Sequence, residues 1–182
     1  MRAFPFIFHP DCVLEDISII IMPIIILTAV LSITIGSIGA LYQVQIKRLL
    51  AYSAIANLGY ILLSLCVTSL SGIFASFYYL FIYIVMSINI FIIIIYIRRY
   101  PMKLKLKNLV EFVSVSHSNF ILSFLLVFSL LSFAGIPPLA GFFGKFAIFM
   151  APIFKGHYLL ALYAVLLSVL TSIYYIRLVR FI

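Results

Sequence analysis

Long apolar stretches separated by short polar ones set the pattern of this chain. Uncharged runs cover residues 17–46, 49–97, 112–144 and 156–176. A helix that crosses a bilayer needs about 20 mostly apolar residues, and the runs resolve into five such spans. The first covers 17–41, with Pro23 near its start, and the second covers about 49–70, introduced by the pair Lys47–Arg48. A tight Ser71–Gly72 link leads to the third, 74–97. The fourth apolar segment, 119–154, is too long for one simple helix, since 36 residues at 1.5 Å each would reach about 54 Å. Gly135-Ile136-Pro137-Pro138 stands in its middle, so a break is predicted there. The fifth span, 158–176, ends at Arg177 and Arg180. The fold class read from this pattern is an all-α polytopic membrane protein with five transmembrane helices, the fourth broken at Gly135–Pro138.

Composition agrees. Of the 182 residues, 66% are hydrophobic and only 9% charged, and the mean hydropathy is +1.34. A soluble domain carries about 25% charged residues, so an ordinary soluble enzyme is excluded. The net charge of +8 does not indicate a nucleic-acid partner, because the basic residues sit between apolar runs rather than on one face. Their distribution carries topology instead. With five spans, one side collects Lys47, Arg48, Arg98, Arg99, Lys103, Lys105, Lys107, Arg177 and Arg180, while the other receives Arg2 and Lys155. By the positive-inside bias the N-terminus lies outside and the C-terminus in the cytoplasm or the mitochondrial matrix. Counting the fourth segment as two crossings would weaken that bias, so it is read as one broken crossing. Residues 1–16 form a polar lead on the outer side, too interrupted by Pro5, Pro10, Asp11, Glu15 and Asp16 to be a signal peptide. The basic loop 98–107 is a topology signal that also suits contact with anionic lipid. Cys66 lies within a span and reads as a buried, inert thiol.

Candidate chemistry concentrates in the fourth segment. Lys145 is the one ionisable residue placed well inside the membrane, about seven residues beyond the double proline, with Phe142, Phe143 and Phe146 around it. A buried ammonium is costly, so such residues usually face a polar interior and mark ion pathways, the alternative being a lysine near a helix end that snorkels to the interface. An amine beside a movable charge can take up and release a proton, as a relay must. Pro137 and Pro138 deprive carbonyls of the preceding turn of their donors, and Gly135, Gly141 and Gly144 allow close approach of backbone. Irregular backbone at this depth is tolerated only inside protein or beside a cavity, as in the broken helices of transporters. On the second span Ser53, Asn57 and Ser64 share one face, which favours close helix packing and cross-helix hydrogen bonds. Lining of a water path is the other reading of this face, and Asn89 on the third span divides between the same two. No metal site or cofactor-binding motif is evident.

Two stretches resemble a known family. Residues 40–65, ALYQVQIKRLLAYSAIANLGYILLSL, are similar to the signature of the antiporter-like membrane subunits of respiratory complex I. Residues 129–149, SLLSFAGIPPLAGFFGKFAIF, look like the broken-helix segment of the subunit 2 type, and SIYYIRLV at 172–179 also resembles that subunit. The resemblance implies one antiporter-like repeat of five helices over 17–182, out of the two inverted repeats that family members contain. It implies redox-driven proton translocation with Lys145 as the proton relay on the exit side. It also implies that NADH, FMN, iron–sulfur clusters and ubiquinone are bound by other subunits, with none on this chain. The first repeat has no counterpart here, so a separate chain is expected to supply it, beside other membrane-arm subunits and lipids. Relatives often have histidine where this chain has Asn57, and an amide cannot carry a proton near neutral pH. Abundant Ile, Phe and Tyr without Trp favour an A/T-rich organelle genome, hence the mitochondrial inner membrane over a bacterial plasma membrane. Two other functions fit the residues: a subunit of a multi-subunit cation/proton antiporter, and a structural membrane subunit that no longer pumps.

Overall fold

The computed structural model describes residues 10–67, 69–99 and 120–182. Within them it is all helical, with six helices and no strand. These are α1 (Pro10–Leu41), α2 (Ile46–Leu65), α3 (Leu70–Arg99), α4 (Phe120–Ala134), α5 (Ala140–Phe154) and α6 (Tyr158–Arg180). Four of them are long and apolar enough to cross a bilayer, whereas α4 and α5 are shorter apolar helices of 15 residues each. Their shortness is the break expected in the fourth segment, and it falls at 135–139. The basic loop 98–107, apart from its first two residues, lies outside the described residues, as do residues 1–9 of the lead.

Two boundaries differ from the pattern-based reading. The lead was expected to run to residue 16, yet α1 begins at Pro10. Proline suits the first helical position, where its missing N–H costs nothing. The link between the second and third spans is not at Ser71–Gly72, because α3 already begins at Leu70. Ser69 starts it, with its hydroxyl accepting the Gly72 N–H at 3.0 Å and its carbonyl accepting the Ile73 N–H at 3.0 Å. Such an N-cap outweighs the glycine that follows. Gly72 serves packing instead, since a Cβ there would stand 2.5 Å from the Ser64 carbonyl oxygen.

Small residues bring α1 and α2 together in antiparallel contact. A side chain on Gly39 would strike the Tyr52 ring at 2.6 Å, and one on Gly59 would strike Ser32 and Ile33 of α1. Apolar helices in lipid associate through such close backbone approach. The interior then divides into two clusters. One holds Leu49 of α2, Met86, Ile90 and Ile93 of α3, Leu126, Leu130 and Phe133 of α4, and Tyr174, Tyr175 and Leu178 of α6. The other holds Ala29 and Ile33 of α1, Tyr60 and Leu63 of α2, Tyr79 of α3, Ile148 of α5, and Ala164 and Leu167 of α6. The short helices are thus shared out, α4 to the first cluster and α5 to the second. At the end of the first cluster, Arg177 donates to the carbonyl of Leu41 at 3.3 Å, which puts the basic end of α6 beside the α1–α2 turn and its exposed Lys47 and Arg48.

Candidate functional site

The site is built at the break. A helical carbonyl normally accepts the N–H four residues on. For Phe133 and Ala134 those residues are Pro137 and Pro138, which have no N–H to give. Gly135 turns the chain away from α4 with φ +83, a left-handed conformation that glycine adopts without a Cβ penalty. Its N–H still closes the helix onto Leu131 and Ser132, as does that of Ile136 onto Leu131. Two carbonyls are left pointing into protein without a backbone donor.

Lys145 supplies the donors. It is only 5% exposed, and its Nζ donates to the carbonyl oxygens of Phe133 at 2.8 Å and Ala134 at 3.2 Å and to the Thr171 hydroxyl at 3.4 Å. An ammonium has three N–H groups, and each has an acceptor. Thr171 Oγ1 gives its own hydrogen to the Ser168 carbonyl at 2.7 Å, which leaves a lone pair for the lysine. The Tyr60 ring lies beneath, 6.0 Å from Nζ to its centroid, where a ring face attracts a cation.

The three glycines have separate jobs. A Cβ on Gly135 would come 3.1 Å from Lys145 Cδ, so this position is kept open for the lysine stem. Gly141 lets α5 close against the Ser132 carbonyl, and its N–H donates to the Ser132 hydroxyl at 3.1 Å. Gly144 admits the Tyr79 ring, 2.7 Å from where a Cβ would stand. The small-residue face of α2 holds a second buried polar contact. Tyr79 donates its hydroxyl to Asn57 Oδ1 at 2.9 Å, and Ser53 and Ser64 are buried on the same face.

Some expected site residues do not join it. Phe143 and Phe146 were placed around Lys145 but are about half exposed. At 100° per residue, Phe143 and Phe146 stand about 160° and 100° around the helix from Lys145. Asn89 is half-buried on α3, ten residues past Tyr79 and so about 15 Å further along the helix. Pro137 and Pro138 are exposed themselves and act through the donors they lack. Conversely, Thr171, Ser172, Tyr60, Tyr79, Tyr174 and Tyr175 belong to the site region without having been singled out. The spacing of Thr171, Tyr174 and Tyr175 at i, i+3 and i+4 places them on one helix face and could have revealed them.

Apolar helices around a broken helix, whose freed carbonyls are bound by a buried lysine, define a polytopic helical membrane protein. The chain belongs to the family described as NADH:quinone oxidoreductase/Mrp antiporter, TM, whose model matches residues 6–171. NADH-ubiquinone oxidoreductase chain 2 of Marchantia polymorpha is 38% identical over 152 residues, covering 84% of this chain and 30% of that protein. Its counterpart in Metridium senile is 37% identical over 160 residues, covering 87% of this chain and 40% of that one. The chain therefore spans well under half the length of these relatives. Among solved structures, a chain of respiratory complex I from Thermus thermophilus superposes with a TM-score of 0.75 at 30% identity, covering 87% of this chain and 35% of that one. A chain of the Mrp complex from Dietzia sp. DQ12-45-1b shares the fold, with a TM-score of 0.71 at 21% identity over 86% of this chain and 29% of that chain.

Proposed function

We propose that this chain is a membrane-arm subunit of respiratory complex I, of the subunit 2 type, and that Lys145 relays protons as NADH oxidation drives ubiquinone reduction. The observation that carries the reading is the Lys145 amine, buried and bound to the Phe133 and Ala134 carbonyls at a helix break. The cradle tolerates both protonation states. When Lys145 gives up a proton, the Ala134 carbonyl keeps a donor in the Ser172 hydroxyl, 2.8 Å away. The site therefore does not collapse around an unpaired acceptor, which would cost about 1–3 kcal/mol. The redox groups (NADH, FMN, iron–sulfur clusters and ubiquinone) belong to other subunits in this reading.

In this reading the chain makes five crossings, with α4 and α5 together forming one, and its basic end faces the mitochondrial matrix. The location is the mitochondrial inner membrane, with a bacterial plasma membrane as the other setting. An inverted five-helix repeat packs beside this one in the same reading. Exposed aromatic residues along α3, among them Phe74, Phe77, Phe81 and Phe91, offer apolar surface for such a neighbour or for lipid.

Native purification through a tag on this chain tests the proposal. Recovery with flavin and iron–sulfur proteins, NADH–quinone reductase activity and a second polytopic chain is the expected result. Recovery in a flavin-free assembly that exchanges cations for protons would establish the antiporter reading instead, which the fold shared with the Mrp complex favours.

A further inference from the structure

Behind Lys145 the interior contains an unusual number of hydroxyls. The side chains of Tyr60, Tyr79, Tyr174 and Tyr175 are all at most 1% exposed, and Thr171 and Asn57 are as deeply buried. The hydroxyls of Tyr60, Tyr174 and Tyr175 and the Asn57 amide nitrogen have no direct hydrogen-bond partner, although each sits among polar neighbours. Tyr60 faces Thr171, and Tyr175 faces Ser53, Tyr174 and Asn57. Tyr60 also has Tyr175 close by. Buried polar groups in such surroundings are the usual hosts of bridging water.

This cluster lies next to a cavity. A space of about 390 Å³ opens beside Lys47 between α2 and α3, and Ser53, Tyr83 and Phe133 line it. Phe133 is the partition, with Tyr83 edge-on at 5.8 Å on one side and Tyr175 stacked at 5.5 Å on the other. The cavity is far larger than the roughly 10–15 Å³ that one water needs by the same measure, and the polar side chains in its mostly apolar wall are Lys47, Ser53, Tyr83 and Ser87.

We infer that Ser53, Tyr175, Tyr60 and Thr171 form a hydroxyl route that joins Lys145 to the cavity at the Lys47 end of the bundle. Water bridging these side chains carries the proton between them, each oxygen passing one proton on as it receives another, so no phenol ionises and the net result is one proton gained or lost by Lys145. The inference rests on the reading of Lys145 as a proton carrier. It adds a connection to the basic end of the chain, opposite to the exit side implied by the family resemblance.

The test uses the assembled complex, with its amount counted by flavin content. Tyr175→Phe and Ser53→Ala each remove one oxygen and are expected to lower proton pumping per complex several-fold, while Ser53→Thr, which keeps the hydroxyl, retains it. A merely structural role would lower the amount of complex instead. Ser53→Cys should react with a membrane-impermeant thiol reagent added from the Lys47 side and not from the other. Wild-type pumping in both Tyr175→Phe and Ser53→Ala, or no reaction of Ser53→Cys from the Lys47 side, overturns the route. If a substitution prevents assembly, the accessibility of Ser53→Cys decides alone. Normal pumping in Lys145→Ala would instead remove the proton-carrier reading itself. Lost pumping in Lys145→Ala beside full pumping in both hydroxyl variants removes only the route.

Discussion

Lys145 donates to the carbonyl of Phe133 at 2.8 Å across twelve residues of sequence, in the place where a backbone N–H would otherwise stand. The donor missing from the helix is that of Pro137, and Ala134 has the same relation to Pro138. The double proline and the lysine therefore form one device. The first frees two acceptors, and the second occupies them from the next helix.

In the proposed function Lys145 is the proton carrier at the break, and Lys145→Ala removes it. Proton pumping and coupled quinone reduction, measured in sealed vesicles, are expected to fall much further than in Asn57→Ala, provided both complexes assemble. Equal losses in the two variants would count against the assignment.

The variant Pro137→Ala returns a backbone N–H to the break, and a helix continued past Gly135 would present it to the Phe133 carbonyl. Competition for that acceptor should loosen the Lys145 head group and slow pumping while the amount of assembled complex stays near normal. Unchanged pumping would show that the freed carbonyl is dispensable.

At Gly135 the backbone has φ +83, and a Cβ would lie 3.1 Å from Lys145 Cδ. A left-handed alanine costs about 1–2 kcal/mol, and the lysine stem must shift besides. Gly135→Ala should lower both the melting temperature of the solubilised protein and its pumping. Gly156 also has φ +83 but has nothing within 4 Å, so Gly156→Ala should lower the melting temperature without slowing pumping.

Asn57 and Tyr79 form a buried pair at 2.9 Å. Leaving either partner unpaired costs about 1–3 kcal/mol, whereas replacing both by apolar groups is nearly neutral. Asn57→Leu and Tyr79→Phe together should therefore destabilise by less than the sum of the single changes, read as a double-mutant cycle on melting temperature. Strict additivity would mean that the contact contributes nothing.

Much of this architecture was legible in the apolar pattern. The break at 135–139, the burial of Lys145 and the shared face of Ser53, Asn57 and Ser64 all follow from helix periodicity and the chemistry of proline. The carbonyl cradle was legible only in part: proline implies orphaned acceptors, but not which distant donor meets them. The phenylalanines flanking Lys145 misled, because closeness in sequence is not closeness on a helix face. The tyrosines are not legible in the sequence, because a tyrosine in an apolar run reads as bulk and its hydroxyl gains significance only when five helices converge on it.

The same cradle has an electrostatic side. The peptide dipoles of α4 sum to about half a negative charge at its C-terminal end, and that end is where the Lys145 ammonium is bound. The lysine thus neutralises one helix from a seat on another. Discharging it uncovers the negative pole of α4 and removes the attraction that draws α4 and α5 together. Protonation at one nitrogen is thereby tied to the tightness of a joint between two half-length rods, a mechanical output that a lysine on an unbroken helix would not have.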